Sequence, residues 1–281
     1  PQTETRSSRK AFFRHALGRR KNRGLEADSR AYIFSKYAPG VFTLKKKIWE
    51  LGMTLLLLIG VFWLARTGAR LTGAGAGESR GVVLIDSGHG GSDPGKIGIH
   101  QEKEKDINLQ IANRLKKQLE KNGVQVYMTR ETDADLSDGT GGNSKVQDLK
   151  RRCELVRELQ PDCVLSIHQN SYPEEAIHGA QVFYYEDSVE GKKLAEILQR
   201  HLVEGLDKTN HRQAKGNKTY YMLKKTEATL VIVECGFLSN DREASLLTDE
   251  KYQKKVAKAI CSGTLEYLDS LTEKSKGSAE S

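Results

Sequence analysis

The sequence predicts an α/β fold: an open mixed, mostly parallel sheet flanked by helices on both faces, preceded by an N-terminal transmembrane helix. Three observations carry this. From residue 81 onward, short β-branched runs alternate with amphipathic stretches of helical period, the pattern of strands joined by covering helices. The runs VVLI, CVLSI and LVIV are apolar at nearly every position, as strands buried on both faces must be. Ahead of them, LGMTLLLLIGVFWLA (51–65) carries no charge at all.

Taken in order, residues 1–47 hold 13 Lys+Arg against 3 Asp+Glu and read as a basic cytoplasmic tail. Residues 48–65 are the expected anchor, with 15 to 18 apolar positions, slightly fewer than the roughly 20 that span a bilayer upright. Trp49 and Trp63 sit near its two ends, and Lys45, Lys46 and Lys47 precede it, so the positive-inside rule places the tail in the cytoplasm and everything after Ala65 outside the cytoplasmic membrane. A cleaved signal peptide is the rival, with small residues in AGAGE near 75, but a 47-residue n-region is long for one. Residues 66–80, rich in Gly, Ala and Arg, read as a flexible tether.

The folded domain is expected at 81–270. GVVLIDSG (81–88) is its first strand. Glu104–Lys121 places Ile107, Ile111, Leu115 and Leu119 at four-residue spacing, a helix closed by Asn122-Gly123. VQVYM (124–128) is a strand, Val146–Leu159 a helix stopped by Pro161, CVLSI (163–167) a buried strand and AQVFYY (180–185) another. Gly191–Gly205 is helical, TYYML (219–223) reads as a strand, ATLVIVE (228–234) as a central one, and Glu250–Leu268 as the last helix. Residues 271–281 are expected to be a frayed polar tail.

Composition narrows the function classes. The 281 residues carry a net charge of +8, but residues 1–80 alone hold 16 basic and 5 acidic residues, leaving the folded body at −3. The basic excess belongs to the anchor's flank, and nucleic acid is not an expected partner. Four cysteines are too few for a disulfide-stapled fold; Cys153, Cys163 and Cys261 read as small core residues.

The polar residues that stand out lie at strand exits, where open α/β sheets bind ligands. His89 follows VVLID inside Gly88-His89-Gly90-Gly91, where glycine lets the chain turn sharply. His168 ends CVLSI, Glu234 ends ATLVIV, and Glu104 opens the first helix. Singly, each has an ordinary structural reading: a hydrogen-bonded histidine, or a carboxylate favoured by a helix N-terminus. Glu234 is harder to dismiss, since a carboxylate completing so apolar a run is costly to bury without a partner. Together, two histidines and two carboxylates have the composition of a catalytic zinc site, in which two imidazoles and one carboxylate bind the metal and the other carboxylate acts as base. Asp86 is a candidate to orient His89, Asn170 a candidate neighbour of the site, and His178 a candidate substrate contact. Of Arg151 and Arg152, one is expected to pair with an acid and the other to be solvated. Glu102 rivals Glu104, but two helix positions turn a side chain by about 200°, so both cannot serve.

The segments IDSGHGGSDPG, EKDINL, SIHQNS and VECGFLSN, in that order, resemble the zinc-dependent N-acetylmuramoyl-L-alanine amidases of the amidase-3 family from about Val82 to Leu268. The resemblance implies one zinc per chain on His89, Glu104 and His168, catalysis by Glu234, and cleavage of the amide between N-acetylmuramic acid and L-alanine in peptidoglycan. The chain departs from the usual pattern at Ser87, Ser171 and Cys235. The anchor and the GAQVFYY and NSYPEEA stretches look most like the spore-cortex members, whose action allows muramic lactam to form. The expected place is then the intermembrane space of the forespore or the cell wall. The competing readings are a vegetative autolysin with the same chemistry, a non-catalytic peptidoglycan-binding protein, and a zinc peptidase. No protein partner is legible.

Overall fold

The computed structural model describes residues 49–54, 56–57, 79–139 and 143–279, with side chains to residue 274. The chain divides into two compact units, Pro1–Ala76 and Gly77–Ser281. In the first, residues 49–54, 56 and 57 are helical and exposed. The expected tail, most of the expected anchor and nearly all of the tether lie outside the described residues. No helix among the described residues is long and apolar enough to cross a membrane.

The second unit is built on a six-stranded sheet of order β2-β1-β3-β6-β4-β5. Its strands are β1 Val82–Ser87, β2 Gln125–Met128, β3 Cys163–Asn170, β4 Gln181–Tyr185, β5 Lys215–Asn217 and β6 Leu230–Phe237. The β2-β1-β3-β6 block is parallel, β4 runs antiparallel to β6, and β5 is parallel to β4. The helices are α1 Glu104–Lys121, α2 Ser144–Leu159, α3 Val189–Leu206, α4 Tyr221–Lys225, α5 Asp241–Thr248 and α6 Glu250–Ala279.

The period of two along the central strands sorts their side chains onto two cores. Val83, Ile85, Leu165, Ile167, Val231 and Val233 face the larger one, which α1, α3 and α6 close with Ile111, Leu115, Leu198 and Ile260. Leu84, Val164, Ile232 and Phe183 face the smaller one, covered by α2 through Cys153 and Val156 and by α4 through Met222 and Leu223. Asn143 Oδ1 caps α2 on the Val146 N–H at 3.3 Å, and Gln160 ends it in a left-handed conformation.

The structure differs from the sequence reading at several elements, among them β5, which had no sequence expectation. TYYML is not a strand: Asn217 Oδ1 accepts the N–H groups of Thr219 and Tyr220 at 2.7 and 2.9 Å, turning the chain out of β5 and into α4. The strands β3 and β6 run three residues past their expected ends, so His168 and Glu234 lie inside them. The short α5 has no sequence expectation; Asn240 Oδ1 caps it on the Glu243 N–H at 2.9 Å. And α6 continues through the expected frayed tail to Ala279.

Candidate metal centre and active site

The same alternation that builds the cores aims the polar residues. Asp86 follows Leu84 onto the smaller-core face, Ser166 and His168 follow Val164, and Glu234 follows Ile232. Register sets Asp86 beside Ser166 and His168 beside Glu234. Toward the carboxyl ends of the strands this face carries a cavity of about 320 Å³, whose lining includes His89, Glu104, His168 and Glu234.

His89 lies just beyond β1 at φ 61°, a left-handed conformation few side chains adopt, between Gly88 and Gly90. Two glycines are required by close approach. A Cβ on Gly88 would stand 2.3 Å from the His168 ring, and one on Gly95 would stand 2.5 Å from Glu104 Oε2. Glu104 opens α1 on the opposite face of the sheet and meets His89 and His168 at the carboxyl ends of β1 and β3. Its Oε2 accepts the Lys96 N–H at 2.8 Å, and its Oε1 accepts the Gln169 N–H at 3.2 Å.

These contacts bring three side chains to one point. Glu104 Oε2 lies 3.1 Å from His89 Nε2, and Glu104 Oε1 lies 2.9 Å from His168 Nδ1. The two imidazole rings are 5.0 Å apart at 79°. One ligand atom from each of the three residues falls within 4.8 Å of the others. Burial opposes the Glu104 charge, but hydrogen bonds and charge from both histidines outweigh it and hold the carboxyl well below its usual range. Burial disfavours His168 as a cation, yet Glu104 beside it lifts its pKa to about 9. Burial pushes Glu234 up to about 7, and its Oε2 is buried with no hydrogen-bond partner. Two imidazoles and one carboxylate, with a fourth group left unpaired beside them, are a donor set that fits zinc in a catalytic site.

Of the residues named from sequence, His89, Glu104, His168, Glu234, Asp86 and Asn170 all line the cavity. Asp86 does not orient His89. It is spent on Arg152 Nη1 at 2.6 Å, Thr129 Oγ1 at 2.9 Å and Ser166 Oγ at 2.5 Å, because its strand position aims it beneath the site. The partner of His89 Nδ1 is Asp93 Oδ2, at 2.8 Å. Asn170 Oδ1 accepts the Ser171 N–H. His178 is exposed and does not line the cavity; its carbonyl accepts Arg212 Nε at 2.7 Å. Glu102 turns back onto its own loop, accepting the His100 N–H at 3.0 Å.

Both arginines pair with acids: Arg152, buried, with Asp86 and Asp148, and Arg151, at the surface, with Glu154 and Glu158. Arg152 also donates to the carbonyl of His89 at 2.7 Å, which fixes the backbone carrying that imidazole. Arg130, unmarked in the sequence reading, binds the carbonyls of Ser87, Gly88 and Lys105 and ties the β1 exit to α1. Asp93 was open to discovery, as an acid one turn past a histidine in a glycine-rich loop. Arg130 gave no such signal, since its four carbonyl acceptors come from residues 87, 88, 105 and 132.

The chain matches the N-acetylmuramoyl-L-alanine amidase family over residues 83–266. It is 40% identical to the germination-specific N-acetylmuramoyl-L-alanine amidase of Bacillus subtilis over 190 residues, 66% of this chain and 79% of that protein. Among solved structures it is similar to the CwlD amidase of Clostridioides difficile in complex with the GerS lipoprotein, at 38% identity and a TM-score of 0.66, covering 67% of this chain and 98% of that one. It is also similar to an N-acetylmuramoyl-L-alanine amidase of Nostoc punctiforme, at 30% identity and a TM-score of 0.60, covering 69% and 99%.

Proposed function

This chain belongs to the N-acetylmuramoyl-L-alanine amidase family, and we propose that His89, Glu104 and His168 hold its zinc while Glu234 is its catalytic base. The reaction is hydrolysis of the amide between N-acetylmuramic acid and L-alanine in peptidoglycan. The observation that carries the site assignment is the convergence of those three side chains beside the unpartnered Glu234 oxygen.

Amide hydrolysis needs a better nucleophile than neutral water and a protonated leaving nitrogen. Zinc, when bound, supplies Lewis acidity that lowers the pKa of water and polarises the carbonyl. The chain's own residues do the rest. Glu234, with no competing hydrogen bond at Oε2, accepts the proton of the attacking water and returns it to the departing nitrogen. A pKa of about 7 suits a group that must both take and give a proton near neutrality. Asp93 holds Nδ1 of His89, which leaves Nε2 to face Glu104. Arg152 holds the backbone of the same residue from below.

The biological setting we propose is the spore cortex, where removal of stem peptides permits muramic lactam formation. The relative in Bacillus subtilis, named for germination, supports this. In this reading residues 48–65 anchor the chain, residues 1–47 stay in the cytoplasm, and residues 81–270 work outside the cytoplasmic membrane. The uncharged run and its lysine flank support that topology.

The test uses purified peptidoglycan incubated with the protein, with and without a chelator, and mass spectrometry of the products. Free stem peptides and peptide-free muramic acid are expected, and the chelator should abolish both. Undiminished digestion by either Glu234→Ala or His168→Ala would overturn the assignment of roles.

A further inference from the structure

We propose that Lys96 is a subsite for a carboxylate of the stem peptide, and so a determinant of substrate specificity; this rests on the amidase reading above. The cavity is rich in acids: Asp86, Asp93, Glu104, Asp148 and Glu234 all line it. Most of these acids are already paired, and peptidoglycan stem peptides carry free carboxylates, for which an unmatched cation in this cleft is a partner.

Three Lys or Arg side chains line the same cavity: Lys96, Lys145 and Arg152. Two are already matched. Arg152 is buried and bound to Asp86 at 2.6 Å and Asp148 at 2.8 Å. Lys145 Nζ lies 3.1 Å from Asp93 Oδ2. The ammonium of Lys96, among the described residues, has neither a hydrogen bond nor an ion pair with any protein group, and the residue is exposed.

Its backbone, by contrast, is fixed. The Lys96 N–H donates to Glu104 Oε2 at 2.8 Å, and its carbonyl accepts the Glu104 N–H at 3.0 Å. The side chain therefore starts from a point locked to a metal-ligand residue and extends along the cavity wall, with its charge felt by Glu234. An unmatched cation on a rigid base beside the reacting groups fits a carboxylate close to the scissile amide on its peptide side. Its contribution belongs to binding and orientation, and it transfers no proton.

The experiment uses the full, zinc-loaded chain and two muropeptides that differ only in whether the stem-peptide α-carboxylate nearest the scissile amide is free or is a carboxamide. We expect the wild type to prefer the free acid by about three- to fivefold in kcat/KM, the upper range for a solvent-exposed ion pair. In Lys96→Met that ratio should fall to near one, mainly through KM, and in Lys96→Arg it should be largely kept. A more general loss of fold would lower both substrates together without changing the ratio, and zinc content and circular dichroism check for it. An unchanged ratio in Lys96→Met, or a wild type without preference, overturns the subsite while leaving the amidase reading intact. Failure of the wild type to cleave either compound overturns both.

Discussion

The side chain of Glu234 sets a cost in stability against the role proposed for it. A buried carboxylate with one oxygen unpaired is costly when ionised, and its pKa of about 7 records that cost. Because this value lies above that of an unfolded glutamate, the group destabilises the fold in full above about pH 7, by less as pH falls, and no longer below the unfolded pKa of about 4.3. Glu234→Gln should therefore raise the melting temperature of metal-free protein at pH 8 while lowering kcat by at least ~100-fold with zinc retained. Calorimetry, metal content and turnover on the same preparation decide it. His89 gives the complementary case. Asp93→Asn removes the acceptor that orients its ring, and zinc affinity measured against a competing chelator should fall by about 10- to 100-fold. An unaltered affinity would leave Asp93 a loop residue only.

At the scale of elements, the exits of β1 and β3 are held by a buried network under the site. Arg152 on α2 binds Asp86 on β1 and Asp148 on its own helix, and the Ser87 and His89 carbonyls besides. Removing the arginine alone strands two buried carboxylates, so Arg152→Ala should cost about 3–5 kcal/mol in urea unfolding. The same network sets an acid limit. Burial raises the pKa of Asp86, but Arg152 and Ser166 outweigh it and leave the group below its ordinary value. Stability from this group is therefore complete above about pH 4 and is lost as pH falls through the depressed value. Wild type should lose stability over that acid range more steeply than Asp86→Asn, measured as urea midpoints; parallel curves would count against it. The strands and long helices were readable because apolar period and burial coincide in them. Arg152 was readable only as an arginine with an acid nearby, since its five acceptors come from residues 86, 87, 89, 129 and 148. The α4 segment misled because its aromatic residues also suit a strand, and the side chain of Asn217 decided against one.

Over the whole molecule, the unit Gly77–Ser281 holds both cores and all of the proposed catalytic residues. Expressed alone, it should digest peptidoglycan in a chelator-sensitive manner at a rate close to that of the full chain. Deleting residues 1–65 should move the protein from the membrane fraction to the soluble one with activity retained. Membrane retention after that deletion would refute the proposed anchor.

The sequence by itself determined the succession of the main strands and long helices, the family and the chemistry that the family implies, because hydrophobic period and ordered motifs are local properties of a chain. Only the tertiary structure decided which acid serves which partner. Asp86 and Asp93 are seven positions apart and equally acidic as letters, yet a strand's alternation sends one beneath the site to Arg152, and a glycine-rich turn brings the other onto His89. Direction in space comes from backbone geometry and packing, and that is where the two carboxylates part.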